Sequence, residues 1–138
     1  RLQMAALKYS RQREAIKEFL SKRTDHPTAD VVYENIRQIY PNISMGTVYR
    51  NLSLLSDIGE IQKVPGLSGA DHFDWRTDAH CHFLCRNCRR VIDMNDTGIQ
   101  QLLESAESRY PGIIDGCRVS FSGICEDCMH PESGIHDA

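Results

Sequence analysis

Apolar positions recur at helical spacing in three successive segments of the first half of the chain. Ile16, Phe19 and Leu20 form one apolar face, with Ser10 ahead of them as a candidate N-cap. In the second segment Val32, Ile36, Ile39 and Tyr40 fall at i, i+4, i+7 and i+8; Thr28 can cap this helix, and Pro41-Asn42 is expected to end it. The third follows Ser44, lines Val48, Leu52 and Leu55 along one side, and stops at Gly59, where a C-terminal glycine belongs. Its other side carries Thr47, Tyr49, Arg50, Asn51 and Ser53. Two helices joined by a short turn, the second with a polar and aromatic face, predict a helix-turn-helix. "EIQKV" and "DHFDW" read as strands around "PGLSGA", so the unit is expected to be winged. A glycine-rich tip can also approach a phosphate backbone closely.

Arg76 to Ala79 form a short polar joint, which divides the chain into 1–76 and 77–138. Beyond it, "HCHFLC" and "RVIDM" are strand-like around the turn "RNCR". Thr97 with Gln100 matches a capping box, and Ile99, Leu102, Leu103, Ala106 and Tyr110 continue at helical spacing until Pro111-Gly112. "CRVSFSGIC" reads as a final strand, and the tail from Met129 is expected to fray. The predicted fold class is α+β: an N-terminal winged helix-turn-helix domain followed by a small α/β domain.

The net charge of −3 argues against a nucleic-acid partner until its distribution is considered. Through Arg76 there are 11 Lys and Arg against 9 Asp and Glu, a net of +2; from Thr77 onward there are 5 against 10, a net of −5. Such asymmetry points to two parts with different partners, and phosphate contact needs only a local basic face. No apolar run approaches the roughly 20 residues of a membrane span. With no signal-peptide pattern visible, a cytoplasmic location is expected.

Cys85-x-x-Cys88 and Cys125-x-x-Cys128 each place two thiolates within one tight turn. Together they supply the tetrahedral sulfur set that suits structural Zn²⁺, a site with no open position. Two disulfides or a redox dithiol are the competing readings, less suited to a cytosolic chain. The site would tie the first strand of the second part to its last, in a segment of about 60 residues that buries little apolar surface alone. His80 and His82 stand at strand spacing just before the first pair, so both side chains share one face and Cys81 takes the other. They form a second candidate site. His26, Asp74, Asp78 and Asp93 are candidate additional ligands, which spacing does not rank.

The segments "KYSRQREAI", "HPTADVVY", "PNISMGTVYRNLSLLSDIGEI", "HFDW", "HCHFLCRNCRRVID" and "SGICEDC", in this order, resemble the ferric uptake regulator superfamily of dimeric, metal-dependent transcriptional repressors. The resemblance implies that 77–138 is also the dimerisation domain and that Cys85, Cys88, Cys125 and Cys128 hold a structural zinc. It implies a regulatory site of His26, Asp74, His80, His82 and Asp93, a mixed nitrogen and oxygen set suited to Fe²⁺ or Mn²⁺. It also implies that Lys8 reaches the minor groove while Tyr49 and Arg50 read bases. Aspartate at both 74 and 93 is similar to the peroxide-sensing branch, where iron sensors carry glutamate. Cys81 and Cys117 fall where iron sensors place ligands of a further metal site, and Gln100 where they carry a carboxylate; core packing, or a neighbouring thiol pair that binds a soft metal or oxidises, are the alternatives for the cysteines. The expected partners are double-stranded operator DNA and a second copy of the chain, with peroxide as the only small molecule. The expected mechanism is Fe²⁺-catalysed oxidation of His26 or His80. An iron, manganese or zinc uptake regulator without peroxide chemistry is the alternative within the family. A metalloenzyme is the alternative outside it, disfavoured by five protein ligands and by the lack of an HExxH arrangement.

Overall fold

A computed structural model describes residues 10–78, 80–95 and 98–132. The elements in chain order are α1 (Arg11–Ser21), α2 (Ala29–Ile36), α3 (Met45–Asp57), β1 (Gln62–Pro65), β2 (Asp71–Asp74), β3 (Cys81–Cys85), β4 (Val91–Met94), α4 (Ile99–Arg109), β5 (Ser120–Gly123) and α5 (Glu126–Met129). The architecture is α+β, with α1 to α3 and the β1–β2 hairpin making a winged helix-turn-helix. A second, three-stranded sheet has the order β4-β3-β5.

The first three helices start and stop for local reasons. Ser10 Oγ accepts the Arg13 N–H at 3.2 Å, and Ser44 Oγ accepts the Thr47 N–H at 3.0 Å, satisfying first-turn donors that the helices cannot. Gly59 takes φ +83°, letting Glu60 N–H reach the Leu55 carbonyl and Gly59 N–H the Ser56 carbonyl. This Schellman closure turns the chain out of α3 and into the wing. Ile16, Leu20, Val32, Ile36, Val48, Leu52, Leu55 and Phe73 form one buried cluster beneath helices and hairpin.

Four details differ from the expected elements. Thr28 occupies the N-cap of α2 without a side-chain cap bond, and it forms a β-bridge to His72. The helix ends at Ile36, before Pro41-Asn42: Gln38 N–H bonds Asn35 and Ile39 N–H bonds Ile36, a tightening that disturbs the helical register. Ile39 consequently points to solvent, 62 % exposed. The last strand is confined to Ser120–Gly123 because its partner β3 is itself only five residues long. Met129 closes a short helix where fraying was expected. Helix α4 takes Gly98 as its N-cap, at φ +76°; Thr97 of the expected capping box lies outside the described residues, as does Lys8.

Register in the second sheet places the site. Strands β3 and β4 are antiparallel with His82 opposite Asp93, so those two side chains share a face. Strand β5 runs parallel to β3, with Cys85 opposite Gly123, which brings the segment after β5 to the first cysteine pair.

These burial differences are testable. Leu52→Ala is expected to destabilise the chain by about 2–5 kcal/mol, whereas Ile39→Ala should stay within about 0.5 kcal/mol. Denaturant unfolding measures both; equal losses would contradict the burial of Leu52 and the exposure of Ile39.

Candidate metal centres

The four paired cysteines converge. Cys85 Sγ lies 3.8 Å from Cys128 Sγ, and Cys88 Sγ lies 3.8 Å from Cys125 Sγ. All four sulfurs are within 4.8 Å of one another. A tetrahedral zinc with Zn–S near 2.3 Å puts its sulfurs about 3.8 Å apart, so the cage has the size of the ion. Disulfides require about 2.05 Å, and every described cysteine is free of one. Burial opposes ionisation of Cys85, but N–H groups around the turns outweigh it and hold the thiol down to about 6. At Cys128, burial and the crowd of neighbouring sulfurs outweigh a hydrogen bond with Asn87 and push the thiol up to about 11. Four thiolates cannot share so small a volume unless a cation neutralises them.

Arg90 is a member of this site that spacing did not reveal. Its Nε donates to Cys88 Sγ and a terminal nitrogen to Cys125 Sγ, both at 3.4 Å, while the same nitrogen donates to Asp127 at 2.9 Å. The guanidinium thus joins one sulfur of each pair. Arg86 lies within the first pair in sequence and Arg89 and Arg90 follow it, and only the fold distinguishes them.

The second centre gathers residues from both halves. His26 Nε2 lies 2.9 Å from Asp93 Oδ1 and 3.2 Å from Asp74 Oδ2. For His80 Nε2 the distances to Asp74 Oδ2 and Asp93 Oδ1 are 3.0 and 3.1 Å, and for His82 Nε2 they are 3.3 and 3.4 Å. Two carboxylate oxygens therefore each face three imidazole nitrogens. Bond lengths near 2.1 Å would place adjacent ligands about 3.0 Å apart. All of these residues except Asp93 are buried, with His26 3 % and His82 2 % exposed.

The hydrogen-bond partners of the rings fix which nitrogen faces the cluster. His80 Nδ1 lies 2.7 Å from the Asp78 carbonyl, which can only accept, so Nδ1 carries the hydrogen. With Nδ1 turned to that carbonyl, Nε2 is the nitrogen that faces the two carboxylate oxygens, the orientation in which an imidazole can ligate a cation. At Asp74, burial would raise the carboxyl, but His26, His82 and the Arg76 N–H hold it well below the ordinary range. Burial would likewise lower His26, but Asp74 and Asp93 outweigh it and raise it. Asp93 Oδ2 faces Arg76 at 3.6 Å. His26, Asp74, His82 and Asp93 have donor atoms within 4.8 Å of one another, and His80 Nε2 approaches both carboxylates beside them; a mixed nitrogen and oxygen set of this kind suits Fe²⁺ or Mn²⁺.

Of the candidate ligands, Asp78 does not join: its carboxylate pairs with Arg76 at 2.7 Å, and only its carbonyl serves the site. Cys81 is buried on β3 and Cys117 is partly buried ahead of β5; neither belongs to the two donor clusters found among the described residues. Tyr49 and Arg50 lie exposed on α3, Arg50 donating to Thr47 Oγ1 at 3.2 Å.

A sequence profile of the ferric uptake regulator family matches residues 4–121. The chain belongs to the ferric uptake regulator family. This is a family of transcriptional regulators, not of enzymes. The chain is 32 % identical over 118 residues to the peroxide-responsive repressor PerR of Staphylococcus saprophyticus, covering 86 % of this chain and 80 % of that protein. The Campylobacter jejuni peroxide stress regulator superposes with a TM-score of 0.76 at 28 % identity, over 85 % of this chain and 88 % of that one. The Helicobacter pylori ferric uptake regulator gives 0.77 at 24 % identity, over 92 % and 85 %, a likeness of fold. Among the described residues no helix is long and apolar enough to cross a membrane.

Removal of the Arg90 guanidinium should loosen the sulfur cage. Arg90→Ala is expected to weaken zinc retention about tenfold or more, by the usual scale for groups that support metal ligands. Arg90→Lys should lose less. Competition with a chromophoric chelator measures this; unchanged retention in Arg90→Ala would contradict the role of the guanidinium.

Proposed function

We propose that this chain is a metal-dependent, DNA-binding transcriptional repressor that senses peroxide by oxidation of a ligand histidine. One observation carries the proposal: His26 and Asp74 from the winged half meet His80, His82 and Asp93 from the second half around one point. We assign residues 1–76 to DNA binding and 77–138 to dimerisation. Cys85, Cys88, Cys125 and Cys128 hold structural Zn²⁺; the five histidines and aspartates hold Fe²⁺ or Mn²⁺. The site of action is the cytoplasm, where operator DNA is available.

Gripped from both sides, the two halves adopt one angle. In a homodimer that angle sets the separation of the two recognition helices, and half-sites one helical turn apart lie about 34 Å from each other. The occupied site favours the DNA-competent arrangement by its differential affinity for it. Tyr49 offers apolar contact to thymine methyl groups and Arg50 offers paired donors to guanine. Lys8 is assigned to the minor groove by its match to the family.

Bound there, iron(II) would activate peroxide and return to its starting state, the two electrons of the net reduction coming from the imidazole that is oxidised, whereas manganese(II) would support the same arrangement without that sensitivity. His26 and His80 are the proposed targets. One of these imidazoles takes up one oxygen atom from peroxide, and the other oxygen leaves as water. The altered ring binds less well, so the grip across the joint is lost and repression ends. A cavity of about 520 Å³ lined by Thr24, Asp25, Arg90, Val91, Ile92 and Asp93 brings solvent to the edge of the cluster. The relatives named peroxide-responsive repressors, and aspartate at both 74 and 93, support this over metal-uptake regulation.

The decisive experiment measures operator binding with Fe²⁺ and with Mn²⁺, anaerobically, before and after peroxide. Loss of binding only in the iron form, with the mass of one oxygen atom added to a His26 or His80 peptide, is expected. Binding unchanged by peroxide in both forms would instead establish a metal-uptake regulator. Arg50→Ala is expected to cost about 1–3 kcal/mol of operator affinity, read by fluorescence anisotropy; an unchanged affinity would remove Arg50 from the DNA interface.

A further inference from the structure

His72 belongs to neither donor cluster, yet it grips the backbone of a site histidine. Its Nδ1 lies 2.8 Å from the His26 carbonyl, which can only accept, so the ring donates. His26 itself sits at φ +55°, one of two described non-glycine residues with positive φ. A side chain in that left-handed region is strained and persists only where the surroundings impose it. Beside the His72 bond, Phe73 N–H donates to the Pro27 carbonyl at 2.9 Å, and Thr28 forms a β-bridge with His72. Residues 26 to 28 are thereby fastened to β2, whose last residue is Asp74. The fastening fixes two site residues relative to each other.

The His72 ring also touches the wing. A Cβ built on Gly66 would come within 3.0 Å of His72 Cδ2 and Nε2, so the ring closes against the hairpin turn. Its two edges thus face opposite structures: the turn of the wing and the carbonyl of His26.

We infer that His72 is a positioning residue that holds His26 in its ligating conformation and ties that conformation to the wing. The inference rests on His26 being a ligand of the regulatory cation. Groups of this kind commonly set metal affinity by 10- to 100-fold when removed.

Two substitutions separate the donor from the ring. His72→Phe keeps an aromatic ring on β2 and removes the hydrogen-bond donor. His72→Asn removes the ring and retains an N–H at nearly the same reach. Mn²⁺ affinity of the zinc-loaded protein is measured by calorimetric titration, alongside thermal melting without Mn²⁺. His72→Phe is expected to weaken Mn²⁺ at least 10-fold, and His72→Asn is expected to restore most of that loss, while both melt near the parent. A His26→Ala variant calibrates the site. If His26→Ala weakens Mn²⁺ but His72→Phe does not, His72 has no positioning role. If His72→Asn binds as poorly as His72→Phe, restoring an N–H at this position does not restore the site, and the inference fails. Unchanged Mn²⁺ affinity in His26→Ala would overturn the assignment of the site itself, and this inference with it.

Discussion

Two carboxylate oxygens meeting three imidazole nitrogens is the constraint on which the rest of the molecule depends. Asp74 Oδ2 and Asp93 Oδ1 each lie between 2.9 and 3.4 Å from the Nε2 atoms of His26, His80 and His82. The His80 ring is oriented by its Nδ1 contact with the Asp78 carbonyl, which turns Nε2 toward both carboxylates. A divalent cation at that point would answer all five groups at once. Burial adds force to this, since charges kept from water must be paired or coordinated. The fold brings these five side chains from separate segments to that point.

The sulfur cage solves a different problem. Its two cysteine pairs flank β3 and β5, neighbours in a small sheet that, among the described residues, adds Leu84 and Val91 to a buried apolar cluster with Val64 of the wing. An ion held there would fasten the sheet on which His82 and Asp93 face each other. Cage and regulatory site are thus linked through β3: Cys85 ends the strand, and His82 lies near its start. The chemical division follows from the donors. Sulfur alone gives a closed, soft site, whereas nitrogen and oxygen give a site whose affinity can change with one damaged ring.

Much of this was legible in the sequence where the cause is local. Ser10 and Ser44 cap their helices because a hydroxyl needs only a partner three residues away. The CxxC pairs are visible because each fits within one turn, and His80 with His82 because strands alternate. Thr28 misled because the chain entering α2 is also bridged to β2, and its hydroxyl makes no cap bond. His26 and Asp93 are 67 positions apart, so spacing could not join them; only resemblance placed them together before the fold did. Arg90 and His72 had no sequence signal. Each acts through a geometry that exists only after folding, across two sulfurs in one case and onto a backbone carbonyl in the other.

The central claim is that a single ion is gripped from both halves of the chain. Its most direct test is magnetic resonance of Mn²⁺ bound to the zinc-loaded protein, counting the imidazole nitrogens coupled to the ion. Three coupled nitrogens, falling to two when His26 is replaced by alanine, are predicted. Two or fewer in the unaltered protein, with no change on replacing His26, would show an ion held by one half alone.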